Sequence, residues 1–555
     1  MLGEGLVPLS VLAGKWQSLG GMPIISAQKW QPPCADGCYL AKCRQALREE
    51  VMTEVKLVRG GWVFTASRTL IDGAVAVQGD AIIAVDSWPE LRARYPDAGV
   101  LGAENYAVLP GLINAHHHSN GVPNSLQGVE DDFLEPWLFA NGALRSQSLT
   151  FKTLLSIANQ LKSGVTSVVD VATVSGTPDA CRESLQQRLR AYEQAGMRVA
   201  LTPGATYQSV LVHGDDEAFL ASLPTSLRQR LEAAVSLQET LSPQDYVELI
   251  SGLVRDYQAH PHIDVWFGPP GPQWVSDDLL VKIAATAKEL NTGVQTHAVE
   301  SFYEKLLGPR LYGKSVIAHL QELGVLSPRF SIAHGVWLSE SDLEILAQTG
   351  ASVSHNPSSN LRLRAGIAPL NAMLAAGVTV GLGLDGTALG DDDDMFAEMR
   401  LAARLHRTPQ VQAPAPSYED IFQMATIGGA KLLGQGNLGQ ITPGYKADLV
   451  LVKCDRITWP WLAPNANPLH VLMMRAKAGD VDTVLVNGRV VLQDGNPTGF
   501  DLQMVGQALA AELNADDDPA EFRQLAADVR PYLLNWYGNW QLPQLEPYGI
   551  FNSRY

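Results

Sequence analysis

The chain has 555 residues, 46% hydrophobic and 18% charged, a globular composition with ample material for a large core. Its formal net charge of −17 argues against nucleic acid or an anionic membrane as partner, since both require basic patches. No apolar run reaches the roughly 18–20 residues that span a bilayer, and the opening MLGEGLVPLSVLAGKWQ lacks the flank and apolar core of a secretion signal, so a cytoplasmic protein is expected.

Residues 1–52 have little periodicity and read as an N-terminal extension, unstructured or ahead of the natural start. Ordered sequence begins near Met52, in MTEVKLVRGGWVF. Three of the five cysteines, Cys34, Cys38 and Cys43, cluster in CADGCYLAKC, but their spacing fits neither a zinc finger nor a paired C-x-x-C. Over residues 53–108 the runs KLVRGGWVFT, GAVAVQGDAIIAV and YAVLPG predict a small antiparallel sheet. The same texture returns over 437–497, in GQITPGYKADLVLVK and VDTVLVNGRVVLQDG. Two such flanks can pack as one domain, because chain ends often lie close together.

Residues 109–436 alternate strand and helix patterns. AVLPGLINAH opens the series, followed by runs at 164–170, 198–203, 263–269, 293–297, 329–334, 351–355 and 378–385. Helical stretches such as SDDLLVKIAATAKELN and SESDLEILAQTG intervene. Eight strands alternating with helices predict an α/β fold, a (β/α)8 barrel whose active site lies at the C-terminal strand ends. Residues 498–555 are expected to be a helical, aromatic extension, with YLLNWYGNWQLP packing on the chain or against a second copy.

His116, His118, Asp170, His297, His334, His355 and Asp385 all fall at the ends of strand runs, the edge where a barrel collects its reactive groups. In GLINAHHHSNG, strand parity lets His116 and His118 face one point while His117 points away. Neutral imidazoles suit zinc or ferrous iron, and His297 and Asp385 are the natural third and fourth ligands. A metal-bound hydroxide still needs proton transfer: Glu300, three residues after His297, can shuttle it, and His334 can orient the hydroxide or polarise the substrate. Asp170 reads as a structural hydrogen-bonding residue. His213, His260, His262, His319, His406 and His470 carry no motif and read as surface or packing residues.

The motifs VLPGLINAHHH, LKSGVTSVVD, THAVES, IAHGVWLSESDLEIL, SHNPSSNLRLRAGIAPL, VGLGLDG and LGQITPGYKADLVLV, in that order, resemble those of the amidohydrolase superfamily. Within it they are similar to the mononuclear branch of cytosine deaminase, guanine and adenosine-type aminohydrolases and triazine hydrolases. The resemblance covers roughly residues 53–495. It implies a TIM-like barrel with a composite β-sandwich from both flanks, and a site with His116, His118, His297 and Asp385 as metal ligands and Glu300, His334 and Asp385 in catalysis. The fourth strand, HIDVWFGPPG, lacks the bridging lysine of binuclear members, which implies one divalent ion per subunit, zinc or alternatively iron. The loop LQGVEDDFLEPWLF makes Gln127 and Trp137 candidates to contact a flat substrate, joined by His355 and Asn360 at the seventh strand. Asp391–Asp394 read as acids at a helix N-terminus; a role in binding a cationic substrate is the lesser alternative.

The expected activity is metal-dependent hydrolysis of a non-peptide C–N bond in a small molecule, chiefly deamination of a nitrogen heterocycle or amidine-like compound. The same site could serve a triazine chlorohydrolase or alkylaminohydrolase, or a urea or carbamate hydrolase. A non-catalytic scaffold of this fold is the remote alternative. A homo-oligomer is expected.

Overall fold

The computed structural model describes residues 54–235, 241–515 and 518–549; the readings made for residues 1–52, including the cysteine cluster, lie outside these. The flanking runs form strands β1 (Val55–Phe64), β2 (Thr69–Gln78), β3 (Ala81–Ser87) and β4 (Gly99–Pro110) at one end of the chain. The other end contributes β13 (Leu449–Lys453), β14 (Val481–Val486), β15 (Arg489–Gln493) and β16 (Asn496–Pro497). All eight join one sheet in the order β16-β15-β14-β13-β4-β1-β2-β3. The two ends meet where β13 runs antiparallel to β4, from Leu449 opposite Pro110 to Lys453 opposite Tyr106. Burial of Val58, Val63, Val75, Val108, Leu449 and Leu485 in one cluster explains why segments some 340 residues apart associate. The sheet is not wholly antiparallel, as the short runs suggested: β1 pairs with β4 in parallel. A β2–β3 hairpin and the helix Trp88–Arg94 lie between them and return the chain in the same direction.

The central strands are β5 (Leu112–His117), β6 (Val165–Thr173), β7 (Arg198–Gly204), β8 (Ile263–Val265), β9 (Val294–Ala298), β10 (Phe330–His334), β11 (Ser352–His355) and β12 (Val380–Leu382). They form two parallel four-stranded sheets, β5-β6-β7-β8 and β12-β11-β10-β9. A parallel bridge between Phe267 and Val294 links the sheets on one side. On the other, the Asp385 N–H donates to the His116 carbonyl at 2.9 Å. Each strand falls within or beside the run that suggested it. β8 is short, but pairing continues past it: the Trp266, Phe267 and Gly268 N–H groups donate to the carbonyls of Leu201, Gly293 and Pro203. Near-continuous aliphatic strands are buried on both faces, as at Val168, Val199, Ile332 and Leu382.

The intervening helices carry their own boundary signals. Ser276 caps Asp277–Glu289 by accepting from the Leu279 N–H. Ser339 and Asp342 form a reciprocal capping box on Glu340–Thr349, which ends at Gly350 with φ 73°. At the C-terminal end, the helix Ala520–Gly538 packs on the helices Leu134–Ala140 and Thr225–Val235. Its Leu525, Val529, Leu533 and Tyr537 are buried with Val212 and Leu231, so the aromatic tail covers this chain's own strand-end face. Among the described residues, no helix is long and apolar enough to cross a membrane.

Candidate active site

Strand ends bring four groups to one point. His116 Nε2 lies 3.1 Å from Asp385 Oδ1, His118 Nε2 lies 3.2 Å from the same oxygen, and His118 Nε2 is 3.3 Å from His297 Nε2. Atoms bound at ~2.0–2.1 Å to one tetrahedral ion stand about 3.3 Å apart, so these spacings match the edges of such a site. His116 Nε2 is fully buried and has no aligned hydrogen-bond partner, which is costly for a polar atom unless a cation occupies its lone pair. Three nitrogens and a carboxylate oxygen therefore fit a divalent metal.

The surroundings orient the rings. Gln295 donates from its amide nitrogen to Ala115 O (3.0 Å) and Ser331 Oγ (3.1 Å), so its oxygen faces His116 Nδ1 at 2.8 Å and accepts from it. His297 Nδ1–H donates to Pro270 O at 2.7 Å. Both rings thus keep their proton on Nδ1 and present the Nε2 lone pair inward. Gln295 was missed in the sequence; it lies two residues before His297, on the same face of β9, and the signal was a polar side chain inside an apolar strand run.

His117 takes the other direction despite a bulge in the β5–β6 pairing between Asn114 and His117. Its Nδ1 accepts from the Ser119 N–H at 2.9 Å, so its Nε2–H faces Asp393 Oδ1 at 3.3 Å. The acidic run is likewise occupied. Asp394 caps the helix Met395–Leu405 by accepting from the Phe396 and Ala397 N–H groups, and Asp391 pairs with Arg362. None of Asp391–Asp394 lines the central cavity, which removes the cationic-substrate alternative.

His334 Nδ1–H donates to Asn360 Oδ1 at 2.9 Å, leaving its Nε2 lone pair 3.9 Å from Asp385 Oδ2. Burial holds His334 down to about 4, so the ring is neutral. Glu300 Oε1 lies 3.5 Å from His334 Nδ1, and its backbone N–H is held by Glu304 Oε2 at 2.7 Å. Burial, reinforced by the charges of Glu304 and Asp385, raises the Glu300 carboxyl well above the ordinary range and favours its protonated form. Left-handed backbone gathers here in residues other than glycine: Ser119 (φ 48°), Val299 (φ 47°), His334 (φ 73°) and Asp385 (φ 61°). Such conformations cost ~1–3 kcal/mol each and persist where the surrounding structure imposes them, commonly at functional sites.

These groups border a cavity of about 520 Å³, within the ~300–1,000 Å³ typical of small-molecule sites. Trp137, 8% exposed, lines it. Gln127 does not; its amide is occupied by Val122 O and the Arg145 N–H, beside a separate surface depression. Asn360 and His355 lie outside the lining as well. Asn360 holds His334, and His355 pairs with buried His406, Nε2 to Nε2, at 2.9 Å. Asp170 accepts from Tyr192 Oη at 3.0 Å and sits 3.6 Å from Arg188, a structural arrangement. Among the lining residues not anticipated from sequence are an acid and an imidazole. Buried Glu135 accepts from Ser301 Oγ at 2.5 Å, and His213, read from sequence as surface or packing, stands 3.3 Å from the Glu135 carboxylate inside the cavity wall.

Residues 107–491 match the model of the amidohydrolase family, and residues 73–98 match an imidazolonepropionase-like composite domain of bacteria. The chain is 30% identical to a 5-methylthioadenosine/S-adenosylhomocysteine deaminase of Desulfitobacterium hafniense over 443 residues, covering 78% of this chain and 92% of that one. It is 32% identical to a 5'-deoxyadenosine deaminase of Methanothermobacter thermautotrophicus, covering 75% and 89%. Among solved structures, an adenosine deaminase of Xanthomonas campestris with bound zinc superposes with a TM-score of 0.69 at 27% identity, covering 86% of this chain and 99% of that one. The family match spans well over half of the chain and contains every group gathered at the strand ends: the chain belongs to the amidohydrolase family and is a hydrolase of carbon–nitrogen bonds outside peptides.

Proposed function

We propose that the chain is a zinc-dependent aminohydrolase of adenosine-type nucleosides, replacing the amino group of the purine by oxygen and releasing ammonia. The observation that carries this is a ligand set of three nitrogens and one carboxylate oxygen with buried Glu300 beside it, on the wall of a cavity of about 520 Å³. The deaminases named above supply the substrate class. His116, His118, His297 and Asp385 would hold one ion, with iron the alternative to zinc. When bound, a divalent cation brings the pKa of water from ~15.7 towards ~7, providing the nucleophile. The free Nε2 of His334 and the Asp385 carboxylate accept the proton of the attacking water. Glu300 delivers its proton to the ring nitrogen beside the amine-bearing carbon, takes up the second proton of the water from the added oxygen and passes it to the departing amine; the first water proton, taken by His334 or Asp385, then returns to Glu300. Trp137 offers a flat apolar surface to the base, and Glu135 an acceptor for sugar hydroxyls, with His213 beside it.

The same reading takes the two parallel sheets as one closed (β/α)8 barrel over 109–436. It takes 53–108 with 437–497 as the composite β-sandwich and 498–555 as an appended extension. A cytoplasmic homo-oligomer belongs to the proposal; sedimentation tests the assembly. The enzymatic test is ammonia release from adenine nucleosides, guanine, cytosine, pterins and triazines by protein assayed for zinc and iron. Adenine nucleosides are expected to lead. Turnover of ureas or triazines alone would refute the nucleoside reading, and protein that holds no stoichiometric metal and turns over nothing would leave a scaffold.

A further inference from the structure

The segment after β5 carries two acids with no part in the chemistry above, Asp131 and Asp132, in the stretch GVEDDF. Asp132 pairs with Arg530 of the C-terminal helix. Asp131 pairs with Arg362, the last residue of the short helix Pro357–Arg362 after β11. The Arg362 Nε–H donates to Asp131 Oδ2 at 3.0 Å and its Nη2–H to Asp131 Oδ1 at 2.8 Å, the two-pronged grip of a guanidinium on a carboxylate. The remaining nitrogen, Nη1, donates to the Ala388 carbonyl at 2.7 Å and to the Asp391 carboxylate, both in the loop after β12. Asp391 also accepts from Ser125 Oγ, in the same segment as Asp131. One side chain thus ties together the segments that follow β5, β11 and β12.

Each tied segment supplies cavity wall close to its tie. Leu134, Glu135 and Trp137 follow Asp131, Leu363 follows Arg362, and Thr387 precedes Ala388; all five line the cavity. Leu134, Trp137 and Leu363 are buried with Val129 in one small cluster, and the Arg364 guanidinium lies 3.8 Å from the centre of the Phe133 ring. The Arg362 side chain is 10% exposed and that of Asp131 42%. Lifting the segment after β5 would return Asp131 to water but strip a largely buried guanidinium of its two-pronged partner, so the ion pair opposes opening.

We propose that Arg362 is a positioning residue for substrate binding: joined to Asp131, Ala388 and Asp391, it holds the segment after β5 down so that Trp137 and Leu363 meet the substrate as one preformed wall. This rests on the reading of the cavity as the active site and is indifferent to which heterocycle enters it. Without the tie, the segment lies closed in only a fraction of molecules, and apparent affinity falls by that fraction. A saturated enzyme, closed by its substrate, turns over at the parental rate.

The test measures KM and kcat for Arg362→Gln, Arg362→Lys and Asp131→Asn, on whichever compound of the panel above is turned over fastest. Metal content and hydrogen exchange over residues 122–133 are followed beside them. Arg362→Gln and Asp131→Asn should each raise KM about tenfold, keep kcat within about twofold of the parent, hold metal normally and quicken exchange over 122–133. Asp131→Asn leaves the helix that carries Asn360 untouched. Agreement between the two variants therefore separates loss of the tie from displacement of His334, which would lower kcat, and Asp131→Asn decides alone if Arg362→Gln does not fold. Arg362→Lys should fall in between, because an ammonium lacks the fork that spans both carboxylates. Parental KM and exchange in the folded variants, or a loss of kcat at unchanged KM, would overturn the proposal. No turnover of any compound would overturn the proposed activity instead, and exchange would then decide the tie: quickened exchange supports it and unchanged exchange refutes it.

Discussion

Replacing Gln295 by leucine tests whether the proposed metal ligands are oriented from behind. The substitution keeps the volume and removes three contacts: the acceptor for His116 Nδ1–H at 2.8 Å and the donors to Ala115 O at 3.0 Å and Ser331 Oγ at 3.1 Å. Ser331 Oγ retains a bond to Val294 O at 3.4 Å, so the groups left bare are the His116 N–H and the Ala115 carbonyl, on residues with no exposed surface. A buried group without a partner costs ~1–3 kcal/mol, so the metal-free protein should lose about 2–5 kcal/mol in denaturant unfolding. Freed to rotate or change tautomer, His116 should bind the ion ~10–100-fold more weakly, read by chelator competition. Gln295→Glu keeps an oxygen opposite His116 Nδ1 and should retain most of the affinity while losing stability, which separates ring orientation from general damage. A leucine variant that folds and binds metal as tightly as the parent would refute the reasoning.

Other expectations follow from the same geometry. His116→Ala and His118→Ala should abolish stoichiometric metal by elemental analysis. His117→Ala, which removes contacts to Asp393 and the Ser119 N–H, should cost ~1–3 kcal/mol of stability yet leave the metal in place; metal loss there would defeat the parity argument. Glu300→Gln should hold metal normally and lower kcat by ~10²–10⁴, with near-parental kcat as the contrary result. Glu398 is buried and accepts from the Ser358 N–H at 2.9 Å, and burial pushes its carboxyl from 4.5 up to about 7. The folded state therefore holds this proton more tightly than the unfolded chain. Its contribution is fully present below pH ~4.5 and is lost as pH rises through about 7. Glu398→Gln should flatten the fall in unfolding free energy over that window, and an unchanged slope would exclude Glu398 as its source.

Much of the catalytic edge was legible in the linear chain. Alternation along a strand divides His116 and His118 from His117 before any coordinates are known, because successive side chains must point to opposite faces. The runs ending at His297, His334 and His355 end at the same residues as, or one residue short of, their strands. Capping and turn chemistry fixed helix boundaries at Ser276, Ser339 and Gly350, since these signals act over a few residues.

What lay beyond reach depends on partners far away in sequence. The Asp391–Asp394 run favoured a helix N-terminus over a binding loop from sequence, and Asp394 meets its helix N–H groups while Asp393 meets His117, 276 residues earlier. Gln127 kept its place in a motif, yet folding spent its amide on backbone groups at Val122 and Arg145. His213 had no motif at all and became part of the cavity when the loop after β7 met Glu135 and Tyr537. The linear chain by itself determined which residues could ligate, cap and pack, because periodicity and backbone chemistry are local. Only the tertiary structure decided which of them share a cavity and which are consumed elsewhere, because burial and hydrogen-bond satisfaction are settled between segments hundreds of residues apart.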